Sequence, residues 1–263
     1  MSARRRTRRS AGAGARAVML LAFLLAVAVL LGLMVNILSG QDEVAETAAI
    51  LPTETPTPEP TETPEPTPAL PAVDINDWSL RLVRDTHPLG EDFVPESLTE
   101  IEEGEQMDSR AAPALKTLIA DARAAGYTVY VCSCYRDYNT QSGIYWTHID
   151  NYTAQGMTFE QADAATRLAV NYPGCSEHQS GLAADILESR DQDMEPYIGG
   201  SGLMLWLEEH CADYGFVIRY PEDKTDVTGI EYEPWHLRYV GTAARYIMEH
   251  GLCLEEFLDL YNQ

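Results

Sequence analysis

The chain has 263 residues, enough for one or two domains, and a formal charge of −23 at pH 7. Six of the 18 basic residues lie within the first forty positions, where no acidic residue occurs, so the rest of the chain sets twelve basic residues against 41 acidic ones. A body this acidic argues against a nucleic-acid-binding protein and against docking to a membrane through a polybasic surface.

The N-terminal segment has the pattern of a membrane anchor. Residues 1–16 are basic, and residues 17–39 form an almost unbroken apolar run. About 20 apolar residues suffice for a helix that spans a bilayer. The arginines favour a cytoplasmic N-terminus, with the bulk of the chain outside the cell. A cleaved signal peptide is the alternative; we favour the uncleaved anchor, because the run exceeds a usual signal-peptide core and no clear cleavage site follows it directly.

Residues 40–73 are rich in Pro, Thr and Glu. Such a segment has little to bury, and its prolines favour an extended chain. We therefore predict a disordered linker that holds the following domain away from the membrane and within a cell wall. The alternative is a plain spacer whose length matters little.

Residues 74–263 are predicted to form one α+β domain, because strand-like and helix-like patterns follow one another in mixed order. Strands are predicted at 78–83, 127–133, 183–187, 216–220 and 235–240. Helices are predicted at 108–125, 138–151, 158–170, 201–214, 242–250 and 254–261.

Two of these helices carry clear local signals. Asp108 is predicted to cap the first helix, Gly126 to end it, and its apolar face contains the following residues: Leu115, Leu118, Ile119 and Ala122. Thr158 and Gln161 have the spacing of a capping box at the start of the third helix.

Five cysteines occur without any CxxC pair, which is unlike a structural zinc site. Disulfides are allowed if the domain is extracellular. One interpretation pairs Cys134 with Cys175 and Cys211 with Cys253, which leaves Cys132 over. Buried free thiols are the other interpretation, and the sequence does not decide between them.

Two short segments carry residues that suit a metal. Residues 176–185 read SEHQSGLAAD, with His178 and Asp185, and residues 233–236 read EPWH, with Glu233 and His236. Two imidazole nitrogens and one carboxylate oxygen form a ligand set typical of a catalytic zinc with one position left for water. Glu233 then remains as a general base. A single histidine or aspartate more often has a local structural role, so the hypothesis depends on the combination.

These segments resemble the SxHxxGxAxD and ExWH signatures of the VanY-type zinc D-alanyl-D-alanine carboxypeptidases. Residues 133–141, SCYRDYNTQ, are similar to the SxYRxxxxQ element of the same family, and residues 215–221, 228–230 and 233–241 also match its usual pattern. The resemblance extends over roughly residues 78–258. It implies an α+β zinc-peptidase domain with a small central antiparallel sheet flanked by helices.

The resemblance also implies a role for individual residues. It implies that one zinc ion is bound by His178, Asp185 and His236, with Glu233 as the catalytic base. It also implies that Arg136 contacts the substrate carbonyl or the oxyanion. Gln141 and Ser176 would then line the substrate site. Cys134 and Asp137 depart from the family pattern, and a pairing of Asp137 with Arg136 would limit the reach of the arginine. Without the resemblance, Arg136 would be read as part of a surface ion pair. Structural or surface roles are expected for the remaining histidines: His87, His148, His210 and His250.

The expected protein is thus a membrane-anchored zinc carboxypeptidase that removes the terminal D-alanine from peptidoglycan stem peptides outside the cell. Three alternatives stay open: an L,D-carboxypeptidase or endopeptidase with the same site, a non-catalytic wall-binding module, and a structural stalk protein.

Overall fold

A four-stranded antiparallel sheet is the centre of the fold in the computed structural model, which describes residues 70–262. The predicted cytoplasmic tail (1–16), the membrane helix (17–39) and most of the linker (40–73) lie outside the described residues. No helix among the described residues is long and apolar enough to cross a membrane.

The strands form two antiparallel sheets. In chain order they are β1 (Leu98–Glu100), β2 (Gln106–Asp108), β3 (Tyr130–Ser133), β4 (Ala183–Leu187), β5 (Phe216–Tyr220) and β6 (Glu233–Tyr239). The pair β1–β2 is a separate small sheet, and the main sheet has the order β3–β4–β6–β5. Every residue of β4 is buried, because this strand lies inside the sheet with protein on both faces.

Helices surround the main sheet. They are α1 (Ala112–Ala124), α2 (Tyr138–Ala154), α3 (Phe159–Ala169), α4 (Gly202–His210), α5 (Thr225–Thr228), α6 (Ala244–Glu249) and α7 (Leu254–Asp259). The predicted apolar face of α1 is buried and packs in the main core with sheet residues such as Ile186 and Leu237. A second core forms where α6 and α7 pack near Leu80 and Val217. The α+β class is confirmed.

The predicted strand at 78–83 is wrong. Trp78–Leu80 forms a turn of 3-10 helix, and the Asp77 side chain accepts a hydrogen bond from the Ser79 amide at 2.9 Å. Arg238 donates to the carbonyl oxygens of Ser79 and Arg81, at 3.0 and 2.7 Å. An arginine side chain therefore satisfies backbone groups that would otherwise need a strand partner.

The predicted start of the first helix is also wrong. Asp108 ends β2 and forms a salt bridge with Arg110 at 2.6 Å, while α1 begins at Ala112 without a side-chain cap. Gly126 follows the helix with a φ of 101°, which a glycine adopts without strain. The capping box of Thr158 and Gln161 is confirmed.

Three further features were not predicted. The strands of the β1–β2 hairpin have only three residues each, too few to show a periodic pattern. The segment predicted as a helix at 201–214 changes to 3-10 geometry at Cys211–Tyr214, before Gly215 ends it. The loop through Lys224 contains the single turn α5.

Of the two interpretations for the cysteines, the structure has the free thiols: all five are unpaired, and the pairings Cys134–Cys175 and Cys211–Cys253 are wrong.

Candidate metal centre

The three predicted ligands lie together in the main sheet. The side chains of His178, Asp185 and His236, here called the ligand triad, each offer one ligand atom, and these atoms all lie within 4.8 Å of one another. The Nε2 atom of His178 is 3.2 Å from Oδ2 of Asp185. The Nδ1 atom of His236 is 3.1 Å from Oδ1 of the same carboxylate. The carboxylate thus lies between two imidazoles, and all three side chains are buried.

Strand register brings two of the ligands together. Asp185 of β4 and His236 of β6 are direct cross-strand partners in the antiparallel ladder. Side chains at such positions project from the same face with their Cβ atoms about 5 Å apart. A shift of the register by one residue would place the two side chains on opposite faces of the sheet and would separate the ligands.

His178 reaches the same point from a short 3-10 segment, Glu177–Ser180, that precedes β4. Its Nδ1 atom lies 2.6 Å from the carbonyl oxygen of Cys134, and a carbonyl can only accept. The proton is therefore on Nδ1, and the lone pair of Nε2 is directed to Asp185. The backbone N–H of Arg136 donates to the carbonyl oxygen of His178 at 3.2 Å, which ties the segment to the end of β3.

Gly181 makes the turn between His178 and β4. Its φ is 70°, and a Cβ atom at this position would lie 3.0 Å from the amide nitrogen of Asp108 and 3.0 Å from Cγ of Pro95. The close approach of two chain segments therefore requires glycine here.

Gly181→Ala should lower the free energy of unfolding, measured by urea titration. The left-handed conformation alone costs about 1–2 kcal/mol, and the crowding adds about 1–3 kcal/mol. Gly156→Ala is the matched control, because Gly156 has a φ of 98° and no neighbouring atom within 4 Å of the added Cβ. Equal losses in the two variants would show that crowding at Gly181 has no effect.

Glu233 lies close to His236, in a part of β6 where the pairing with β5 is irregular. Residues three apart in a regular strand project from opposite faces. Here Ile218 of β5 pairs with Leu237 of β6, and Tyr220 pairs with Glu233. The two pairs are therefore two residues apart in β5 but four residues apart in β6. Regular pairing is interrupted between these two pairs, and the Glu233 carboxylate lies 3.6 Å from Nδ1 of His236. Glu233 therefore lies beside the ligand triad.

The charges of the ligand triad fit a divalent cation. Burial opposes ionisation of Asp185, but the two imidazoles outweigh it and lower the pKa of this carboxyl. Burial and the guanidinium of Arg136 lower the pKa of His178, which keeps its imidazole neutral. The Oδ1 atom of Asp185 is buried and accepts no hydrogen bond. A carboxylate that lies between two imidazole nitrogens and has one oxygen without a donor is an arrangement that a zinc ion satisfies.

Burial has a different effect on Glu233. Removal from water raises the pKa of this carboxyl to about 8, and the negative charge of Asp185 adds to the effect. The contacts with Asp185 and Glu177 outweigh burial and raise the pKa of His236 to about 9. A cation bound between these groups would favour the carboxylate of Glu233 and the unprotonated Nδ1 of His236.

Arg136 lies at the edge of the ligand triad. One terminal nitrogen donates to Oε1 of Gln141 at 2.8 Å, and the other donates to Oγ of Ser133 at 3.1 Å and approaches Asp185 at 3.5 Å. Asp137 is not among the partners of Arg136, so it does not limit the reach of the arginine. Asp137 caps α2 instead, because its carboxylate accepts from the amide of Thr140 at 2.7 Å. Arg136 is therefore held by neutral partners and by the ligand triad.

A cleft of about 630 Å³ opens over the ligand triad, and Gln141 and Ser176 line it, as do Arg136 and Glu233. The Gln141 side chain is buried and also donates to the carbonyl oxygen of Asn171 at 2.6 Å, so it orients Arg136. His148, which we expected to be structural or at the surface, is half-buried on the cleft wall.

Sequence reasoning missed the buried charge cluster behind the ligand triad. Glu177 has no solvent exposure, and one carboxylate oxygen accepts from Arg219 at 2.8 Å and from Arg238 at 2.5 Å. Burial opposes ionisation of Glu177, but the two guanidiniums lower its pKa. The detectable signal was Arg219 in the otherwise apolar strand β5 and Arg238 next to Leu237 in β6, since a buried arginine requires an acidic partner.

Comparison with known proteins identifies relatives of this chain. The family model described as VanY, D-alanyl-D-alanine carboxypeptidase, matches residues 104–242. A D-alanyl-D-alanine carboxypeptidase of Enterococcus faecalis is 41% identical over 187 residues, which are 71% of this chain and 68% of that protein.

Two solved structures are similar to the chain. A mutant of the vancomycin resistance D,D-pentapeptidase VanY in complex with Zn(II) has a TM-score of 0.63 at 42% identity, over 69% of this chain and 99% of the other. VanYB in complex with D-alanine-D-alanine has a TM-score of 0.63 at 41% identity, over 70% and 98% of the two chains.

Proposed function

Because the chain belongs to the VanY family of D-alanyl-D-alanine carboxypeptidases, we propose that it is a zinc-dependent hydrolase that removes the terminal D-alanine from peptidoglycan stem peptides. The observation that carries the proposal is the ligand triad at the base of an open cleft, with the Glu233 carboxylate 3.6 Å from the nearest ligand nitrogen. The zinc and the D-alanine-D-alanine in the related structures agree with this use of the site.

The ligand triad would hold a zinc ion that polarises the scissile carbonyl and lowers the pKa of a water molecule. Glu233 accepts the proton of the attacking water and can donate it to the leaving amine, which departs as D-alanine. Glu233 is suited to both steps because it is buried beside the ligands and its carboxylate makes no hydrogen bond among the described residues.

Arg136 supplies positive charge on the same side of the cleft. Among the described residues that line the cleft, it is the only arginine or lysine. Its planar group offers several N–H donors in a fixed arrangement, so it can stabilise the negative charge that develops on the carbonyl oxygen. Gln141 and Ser133 hold the guanidinium in place through hydrogen bonds, and Ser176 on the cleft wall completes the substrate site.

The purified full chain should release D-alanine from a stem pentapeptide. A chelator should lower the rate by at least about 100-fold, because removal of zinc removes the activation of water, and added zinc should restore it. D-Alanine release can be followed with a coupled oxidase. A rate that chelation leaves unchanged would overturn the proposed mechanism.

Tetrapeptide and cross-linked stem fragments test the alternatives in the same assay. Cleavage of the tetrapeptide alone would identify an L,D-carboxypeptidase, and cleavage of the cross-link an endopeptidase. No cleavage with zinc bound would identify a wall-binding module.

The proposed location is the outer face of the cell membrane. The apolar run at 17–39 and the basic residues 1–16 support a single anchor with a cytoplasmic N-terminus, and the linker at 40–73 would let the domain reach the wall. Recovery of the chain in the membrane fraction after alkaline carbonate washing supports the anchor, whereas release into the medium supports a cleaved signal.

A further inference from the structure

The buried charge cluster connects the ligand triad to the C-terminal helix. Glu177 precedes the ligand His178, and its Oε1 atom accepts from both Arg219 and Arg238. Arg219 also donates to both carboxylate oxygens of Glu255 on α7, at 2.9 and 2.7 Å. The side chains of Glu177, Arg219 and Arg238 are at most 1% exposed. A buried cluster of this kind is tolerated only when nearly every charged atom has a partner.

One oxygen of the cluster is the exception. The Oε2 atom of Glu177 makes no hydrogen bond, and neither does Nε2 of His236. These two buried atoms face each other at 3.8 Å, a distance of an ion pair rather than a hydrogen bond. A side-chain shift of less than about 1 Å would bring them to the usual hydrogen-bond distance. Two such atoms side by side are unusual, because buried polar atoms nearly always have partners.

The other nitrogen of His236 explains the arrangement. Nδ1 faces Asp185 at 3.1 Å, so the ligand triad uses this atom. An imidazole that binds a metal through Nδ1 carries its proton on Nε2. Among the described residues, Glu177 offers the acidic oxygen nearest to that proton.

The inference rests on the proposed function. We infer that Glu177 is a positioning residue: its free oxygen accepts the Nε2–H of His236 and holds the ring so that Nδ1 is presented to the ion. Arg219 and Arg238 fix the carboxylate by its other oxygen. Supporting carboxylates of this kind orient metal-binding histidines and raise their affinity for the ion.

Glu177→Gln and Glu255→Gln in the full chain separate this role from a purely structural one. Each variant removes one carboxylate charge from the same cluster, but only Glu177 faces His236. Zinc affinity can be measured by competition with a chromogenic chelator. Glu177→Gln should weaken zinc binding by about 10–100-fold, while Glu255→Gln should leave the affinity close to that of the wild type. Equal affinities in all three proteins, or equal losses in both variants, would overturn the inference.

Two further measurements apply if Glu177→Gln does not fold. Glu177→Asp keeps the charge but shortens the side chain by one methylene, which moves the oxygen away from His236. This variant should also weaken zinc binding. In the zinc-loaded wild type, the Nε2 proton of His236 should exchange slowly with water in ¹⁵N-histidine NMR spectra, and rapid exchange would overturn the inference. A wild-type chain that binds no zinc would instead overturn the proposed function, so the two failures are distinguishable.

Discussion

Replacing Glu233 by glutamine should lower kcat for D-alanine release by about 10²–10⁴-fold, the usual contribution of a general base, while zinc stays bound. Glutamine has nearly the same shape, but its amide accepts no proton from water. The ligand triad keeps all three of its ligand atoms in this variant, since Glu233 lies beside the triad and is not part of it. Kinetics and metal analysis on the same preparation measure both quantities.

Glu160→Gln is the control for the loss of one carboxylate. Glu160 is exposed in the first turn of α3 and does not line the cleft, so turnover should equal that of the wild type. Unchanged turnover in Glu233→Gln would remove Glu233 from its role as base. Loss of zinc together with turnover would show instead that Glu233 helps to bind the ion.

Asp185→Asn should abolish both zinc binding and hydrolysis. The substitution leaves two imidazoles without the buried negative charge that lies between them. The loss of zinc affinity should exceed the approximately 10–100-fold that loss of a supporting hydrogen bond costs, because a direct ligand is weakened. Metal content after gel filtration and D-alanine release check the two effects.

The matched control is Asp150→Asn. Asp150 is exposed on α2, and its side chain makes no salt bridge among the described residues, so zinc content and rate should match those of the wild type. Stoichiometric zinc in Asp185→Asn would contradict the ligand triad. Retained zinc without activity would mean that Asp185 acts in the reaction rather than in binding.

Local patterns predicted those parts of the fold that a few neighbouring residues decide. The buried face of α1 follows from apolar residues at helical spacing, and the start of α3 follows from the capping box of Thr158 and Gln161. The strand β4 has the predicted bounds because its residues are apolar on both sides of Asp185. Asp108 and Asp137 show the limit of such patterns. By local sequence, each aspartate could cap a helix or form an ion pair. In the structure Asp108 pairs with Arg110, and Asp137 accepts from the amide of Thr140.

The sequence by itself determined which residues have the chemistry for the proposed site: two histidines and an aspartate that can bind a metal, and a glutamate that can accept a proton. Only the tertiary structure decided that they meet. The register between β4 and β6 sets Asp185 beside His236, the irregular end of β6 holds Glu233 close to His236, and the cluster around Glu177 lies behind His236. These relations join residues up to about sixty positions apart, such as Glu177 and Arg238. Strand register and buried ion pairs depend on how distant segments pack and exclude water, which short-range patterns do not encode.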